Sequence, residues 1–325
     1  EGYSGACIET WYIPLMPPTR KPARILNTPV PEPTSPCEST KIDKRFPVHA
    51  VREWLHRRKW VRKNRRMLYE ADALVISHTK SGRTWLRVMI SHLYHLKYGT
   101  PATELMNFDN LHQLNPHIPR IFFTRDTRIP TLTRNNGYIS AVTDKKTLFL
   151  VRDPRDVAVS FYFHVCNRAS DRVLRRKGIE QSAKKLPLYA FVTDQALGLP
   201  RVIEHFNRWH EEMKSMDHTL IIKYEDMRAD PAAALTQVIR FVDCDFNTGD
   251  INGAVEFASF ENLARKEKHG YFSSGRLAAF DPSNENARKV RRGKIGGYRD
   301  YFSEEQNRYL DKLVHEQLDN FYGYS

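Results

Sequence analysis

Four short apolar runs, Ala73–Ser77 (ALVIS), 120–123, 147–151 (TLFLV) and Thr219–Lys223 (TLIIK), alternate along this chain with segments of helical periodicity. That alternation constrains the fold more tightly than any other feature. A run of about five apolar residues without an in–out pattern is a strand buried on both faces. Segments over 84–97, 154–165, 188–197, 200–216, 231–242 and 303–318 have the period of helices and supply the layers that bury them. Strands joined through helices pair in parallel, so the pattern predicts an α/β fold: a central parallel sheet flanked by helices on both faces. In such sheets ligands sit beyond the carboxyl ends of the strands. Functional residues are therefore expected just after each run.

The boundaries follow from proline. Residues 1–47 hold nine of the 18 prolines, and proline cannot donate to helix or sheet ladders. This stretch reads as a Pro-rich arm or linker, with a single folded domain over 48–325. No stretch approaches the roughly 18 apolar residues of a membrane span. The four cysteines, Cys7, Cys37, Cys166 and Cys244, have neither zinc-site nor disulfide-framework spacing. A cytoplasmic location is the expectation, although the chain opens at Glu1 rather than Met, as it would if an upstream signal or anchor had been removed.

The net charge of +13, from 51 Lys+Arg and 38 Asp+Glu, is uneven. Residues 51–66 (VREWLHRRKWVRKNRR) carry eight Lys/Arg against one Glu, on a pattern that reads as an amphipathic basic helix. A solvated face accounts for it, as does contact with an acidic membrane or a polyanion. No DNA- or RNA-binding module accompanies it, so specific nucleic-acid binding is not expected.

Two strand–turn–helix junctions carry chemistry. After the first run comes His78-Thr79-Lys80-Ser81-Gly82-Arg83-Thr84-Trp85. Gly82 permits a tight turn, a helix start presents open N–H groups, and Lys80, Ser81 and Thr84 add a cation and hydroxyls, which together suit a phosphate. This is not a Walker A loop, since the Lys precedes the Gly. After the third run comes Arg152-Asp153-Pro154-Arg155-Asp156, with Ser160 about two helical turns on. A guanidinium with a hydroxyl donor suits a phosphate monoester, whereas Asp153 and Asp156 are positioned to pair with the arginines. Two phosphate-binding corners on one sheet predict a single nucleotide phosphorylated at two places. No carboxylate cluster for a metal is apparent, and none is expected.

At these residues the chain resembles the sulfotransferases that use 3′-phosphoadenosine 5′-phosphosulfate (PAPS), a family with a P-loop-like nucleotide-binding architecture. HTKSGRTW is similar to their 5′-phosphosulfate loop, RDPRDVAVSFYF to their 3′-phosphate site, and Arg291–Arg299 (RRGKIGGYR) to their late glycine-rich motif, in the family's order over roughly 65–320. The resemblance implies that Lys80, Ser81, Gly82, Arg83 and Thr84 hold the 5′-phosphosulfate. It implies that Arg152 and Ser160, with Arg291, Arg292 and Gly293, hold the 3′-phosphate. Trp85, Tyr224 and Phe260 would pack on adenine, and the product would be 3′,5′-adenosine bisphosphate.

The chain departs from the family pattern in ways that bear on catalysis. The family places a catalytic His after the second strand, where this chain has Arg125. Arginine is always protonated and cannot act as a base. Asp126 is then the leading proton acceptor, with His112, His117 and His78 behind it and Arg125 as a second cation beside Lys80. Tyr298, Gly297 and Ala258 replace a Trp, an Asp and a hydroxyl residue, and the family's dimer motif is not matched around Arg299–Arg308. The acceptor, a small molecule, carbohydrate or lipid, is left to loops 100–140 and 168–186, the second bearing Arg168, Arg172, Arg175, Arg176 and Lys177. Two other functions compete: a catalytically silent nucleotide- or polyanion-binding protein, and a P-loop kinase, which lacks its Walker A signature.

Overall fold

The computed structural model describes residues 48–125, 142–175, 177–277, 281 and 283–324; the arm over 1–47, Asp126 and Arg176 lie outside these. The described residues open with α1 (Val48–Glu70), β1 (Ala73–Ser77), α2 (Arg83–Tyr98), α3 (Asn110–Leu114) and β2 (Ile121–Thr124). It continues with β3 (Lys146–Val151), α4 (Pro154–Asn167), α5 (Asp171–Arg175), α6 (Leu188–Thr193), α7 (Leu199–Met213) and β4 (Thr219–Lys223). Then follow α8 (Tyr224–Ala229), α9 (Pro231–Phe241), α10 (Thr248–Phe257), α11 (Phe260–Lys268) and α12 (Glu304–Gln317).

The four strands among the described residues form one parallel sheet in the order β2-β1-β3-β4. Successive strand side chains point to opposite faces, and the burial follows that period. Leu74 and Ile76 of β1, Phe122 of β2 and Phe149 and Val151 of β3 pack on one side with α4, α7 and α12. Val75, Ile121, Leu148 and Leu150 pack on the other with α2, α9 and α10. The runs lack an in–out alternation because both faces are covered, as the sequence implies.

The strand order also positions the loops. β1 leads through α2 outward to β2, whereas β3 leads through α4–α7 outward to β4. The connections of the two central strands thus part in opposite directions and leave a crevice at their carboxyl ends. The register Ser77↔Leu150 sets residues 78–82 beside 152–153.

Some elements differ from the sequence pattern. The helix expected over 188–197 stops at Thr193, because the Asp194 carboxylate accepts from the N–H groups of Ala196 and Leu197, each at 2.9 Å, and so forms a turn. Gly198 then lies so close to the end of α6 that a Cβ there would be 2.2 Å from the Val192 carbonyl oxygen. Helices α8, α10 and α11 were not expected. The first follows β4 with no intervening turn residue, and α10 contains two glycines that blur its period.

Candidate functional site

A cavity of about 280 Å³ opens at the carboxyl ends of β1 and β3. Of the predicted binding residues, Lys80, Gly82, Arg83, Thr84, Trp85, Arg152, Ser160, Tyr224, Phe260, Arg291, Arg292 and Gly293 all line it. Ser81 does not; its side chain is 0% exposed, and its hydroxyl has no hydrogen-bond partner.

The first corner is a strained turn. Lys80 has φ 81° and Gly82 φ 93°. The left-handed region costs a non-glycine residue of order 1 kcal/mol or more, so such residues collect at functional sites. Gly82 is the N-cap of α2 and offers no side chain to occupy the first-turn N–H groups. It has no room for one either, since a Cβ would sit 2.7 Å from the Tyr224 ring. That ring backs the loop and also carries Arg152, whose guanidinium lies 4.2 Å from its centroid. Trp85 is held by its indole N–H donating to the Ala258 carbonyl at 2.9 Å, and its ring centroid is 5.8 Å from that of Tyr224.

The second corner is built around a buried carboxylate. Asp153 caps α4 by accepting from the Arg155 N–H at 2.9 Å, with Pro154 in the first turn. The Arg155 side chain is held by Asp153, Asp311 and the Tyr324 carbonyl, which makes it a structural ion-pair residue. Asp156 does the positioning. It takes Arg152 Nη2 at 3.2 Å on Oδ2, the Gly296 N–H at 3.0 Å on the same oxygen, and the Tyr298 N–H at 2.9 Å on Oδ1. Burial pushes this carboxyl above its usual range despite the neighbouring Arg152. One aspartate thereby ties the late glycine-rich loop to the corner after β3. Arg152 also donates from Nη1 to the Lys80 carbonyl at 3.5 Å, so the two corners touch. Its Nε is buried with no hydrogen-bond partner.

The other end of the late loop is fastened by a residue that the motif reading passed over. Glu267 of α11 is 1% exposed and accepts the N–H groups of Lys289 and Val290 at 2.7 and 2.8 Å. It also pairs with Arg168 at 3.4 Å. Between these two carboxylates the loop turns at Gly293, whose φ is 61° and where a Cβ would lie 2.9 Å from the Phe260 ring. Arg291 lies 3.9 Å from the Phe163 ring centroid and donates to the Tyr301 hydroxyl, while Arg292 pairs with Asp300.

His164, Arg168 and Lys289 line the cavity without having been singled out for it. Arg168, assigned from sequence to an acceptor loop, belongs to this wall instead. A signal was present: Ser160, His164 and Arg168 recur every four residues, which places them on one helix face. Burial, then Arg168, Arg152 and Arg291, bring the Lys80 ammonium down to about 7, against the opposing pull of Glu267. Burial together with Lys80 and Lys177 drives the His164 imidazole to about 2, so it is neutral, and its Nε2 is 3.3 Å from Lys177 Nζ. Cations crowded until they suppress one another's charge are those that a bound polyanion would restore. The unpartnered Arg152 Nε, together with the open start of α2, fits a ligand phosphorylated at two places.

The remaining sequence candidates stand apart. Arg125 follows β2 and does not line this cavity, although the Arg83 guanidinium donates to the adjacent Thr124 carbonyl at 2.5 Å. His112 is engaged with the Ile118 carbonyl at 2.7 Å and His78 with that of Thr79 at 3.0 Å. Among the described residues, the His/carboxylate group His210, Glu211 and Asp319 is outside the cavity. No described helix is long and apolar enough to cross a membrane.

Comparison with known proteins bears on the family and the fold. Cytosolic sulfotransferase 5 of Arabidopsis thaliana is 22% identical over 288 residues, covering 77% of this chain and 80% of that protein. Flavonol 3-sulfotransferase of Flaveria bidentis is 23% identical, covering 76% and 81%. In structure, a mouse sulfotransferase solved with PAP matches at a TM-score of 0.53 and 22% identity, over 78% of this chain and 86% of that one, which supports the fold. The family model described as the sulfotransferase domain matches residues 70–322, more than three quarters of the length. This chain therefore belongs to the sulfotransferase family.

Proposed function

We propose that the protein transfers a sulfonate group from PAPS to a hydroxyl or amine of an acceptor and releases 3′,5′-adenosine bisphosphate. The observation that carries this reading is the single cavity lined by both Lys80 and Arg152, bridged by Arg152 Nη1 on the Lys80 carbonyl. Lys80, Gly82, Arg83 and Thr84 hold the 5′-phosphosulfate; Ser81, whose side chain is buried away from the cavity, is not among them. Arg152 and Ser160, with Arg291, Arg292 and Gly293, hold the 3′-phosphate, and Trp85, Tyr224 and Phe260 enclose the adenine. The S–O bond to the 5′-phosphate breaks as the acceptor's S–O or S–N bond forms, and the acceptor loses its proton. Charge grows on the leaving phosphate oxygen, as in phosphoryl transfer, and fixed cations stabilise it without a metal. Lys80 is the main such cation, with Asp126 taking the acceptor's proton; Arg125 lies outside the cavity, and the role of second cation does not fall to it. A cytoplasmic location, as in the names of several relatives, belongs to the same reading.

Thermal stability with 3′,5′-adenosine bisphosphate, ADP, or ATP with Mg²⁺ tests it, because a ligand at 100 times its Kd adds about 2.7 kcal/mol. The bisphosphate alone should raise Tm, by roughly a few degrees, and radiolabelled sulfate should pass from PAPS to an acceptor. A response to ATP–Mg²⁺ instead would make the protein a kinase. Binding of the bisphosphate with no transfer to any acceptor screened would make it a silent binding protein.

A further inference from the structure

A second and much larger recess, about 1190 Å³, lies between α1, α3 and β2. Small-molecule pockets run to roughly 300–1,000 Å³, so this groove exceeds what one aromatic acceptor needs. Seven Lys and Arg line it against one carboxylate, Asp109. Four of the seven, Lys59, Arg62, Lys63 and Arg66, are spaced i, i+3, i+4, i+7 and so form one exposed stripe along α1. The stripe is about 10 Å long at 1.5 Å per residue. Arg66 pairs with Glu70; among the described residues Lys59, Arg62 and Lys63 have no carboxylate at ion-pair distance.

The floor points the same way. Arg87 of α2 is 4% exposed, lies 3.9 Å from the Phe123 ring centroid, and donates to the Met106 carbonyl. No described carboxylate pairs with it; burial, then Arg276 and Arg83, press its pKa below the usual guanidinium range. A buried charge without a counter-ion is costly, and an anionic group entering the groove would supply one.

The groove also adjoins the transfer site. Arg83 lines the nucleotide cavity and Arg87, one helical turn on, lines the groove. Arg276 lines the groove and its neighbour Leu277 the cavity, while Lys289 Nζ reaches across to the Arg276 carbonyl at 2.7 Å. We propose that this groove is the acceptor subsite, and that its occupant is an acidic carbohydrate chain, one carboxylate or sulfate of which meets Arg87 while others follow the α1 stripe. The proposal rests on the sulfonate-transfer reading above.

Other polyanions fit less well. A membrane-surface helix inserts an apolar face, but Trp60, Met67 and Leu68 of α1 are packed on the core. A single-stranded nucleic acid needs open aromatic platforms, whereas Phe108 and Phe122 are buried and Phe123 is covered by Arg87.

The test uses the full chain and four probes: a heparin-derived hexasaccharide, a dextran of equal length, phosphatidylserine vesicles and a single-stranded oligonucleotide. The hexasaccharide should bind best, and its affinity should fall tenfold or more between about 50 and 200 mM salt. Arg62→Ala with Lys63→Ala, both exposed, should weaken it about tenfold while leaving the Kd for 3′,5′-adenosine bisphosphate unchanged. Radiolabelled sulfate should pass to the desulfated hexasaccharide. Equal binding of dextran, stronger binding of vesicles or oligonucleotide, or an unaffected double variant overturns the proposal. If the bisphosphate binds and the saccharide does not, only the groove assignment falls; if the bisphosphate fails to bind, the sulfonate-transfer reading falls first.

Discussion

The nucleotide cavity and the groove beneath α1 are both lined with Lys and Arg, yet they hold their charges differently. In the cavity two buried carboxylates, Asp156 and Glu267, fasten the ends of the late loop and fix Arg152 and Arg168 in place. In the groove the α1 stripe is exposed, and the one lining carboxylate, Asp109, accepts from Gln113. Cations oriented by buried carboxylates recognise a ligand of one shape, since each donor is already aimed when the ligand arrives. Cations on an exposed helix face recognise charge density more than shape, and salt screens them readily. The difference suits a fixed nucleotide on one side of the reaction and an extended partner on the other.

The sharpest way to break this contrast is to remove the cation at the reacting corner. Lys80→Ala should lower sulfate transfer by at least 10²–10³-fold, the range seen when one transition-state donor is lost, while binding of the hexasaccharide is unchanged. Transfer within tenfold of wild type would show that Lys80 is not the group that stabilises the leaving oxygen.

The next effect lies in the clasp. Asp156→Asn keeps one of the two acceptor oxygens, loses the other to an NH2 donor and removes the charge that orients Arg152, and should weaken 3′,5′-adenosine bisphosphate by about 10–100-fold, as removal of a partner from a buried pair does. Asp109→Asn in the groove should leave that affinity alone. Circular dichroism and Tm distinguish loss of binding from loss of the fold, and equal effects of the two variants would erase the distinction between the regions.

How far each region was legible follows from the same physics. The fold was readable because β1 and β3 are buried on both faces and so appear as unbroken apolar runs. The corners were readable because local geometry demands local residues: Gly82 must lack a Cβ under the Tyr224 ring, and Pro154 must stand in the first turn of α4. Glu267 was not readable, because its partners, Arg168, Lys289 and Val290, come from other segments and nothing near α11 announces them. The basic run at 51–66 was visible as charge, but its meaning depended on which helix face turned toward β2. Arg87 gave no signal at all, being one cation inside an ordinary amphipathic helix.

The smallest expected effect is on pH, and it separates the two regions through a single lysine. With its ammonium brought down to about 7, Lys80 is largely neutral in the free protein above that pH. An anion beside it favours the charged form, so binding above pH 7 must draw in a proton. The Kd for the bisphosphate should therefore rise by up to tenfold per pH unit from about 7 upward, by linkage. The Arg152, Arg168 and Arg291 guanidinium groups and the Glu267 side chain face Lys80, and His164, brought to about 2, stays neutral over this range. Burial, then Lys80 and Arg168, lower buried Lys289 as well. Calorimetry in two buffers of different ionisation enthalpy would count the proton taken up. Lys80→Arg should flatten the profile, because a guanidinium does not titrate here. The exposed α1 stripe does not include Lys80, so hexasaccharide binding should hold steady across the same window. A flat bisphosphate profile in the wild-type protein would mean that Lys80 is charged before the ligand arrives, and that the crowding of cations in the cavity is already relieved without it.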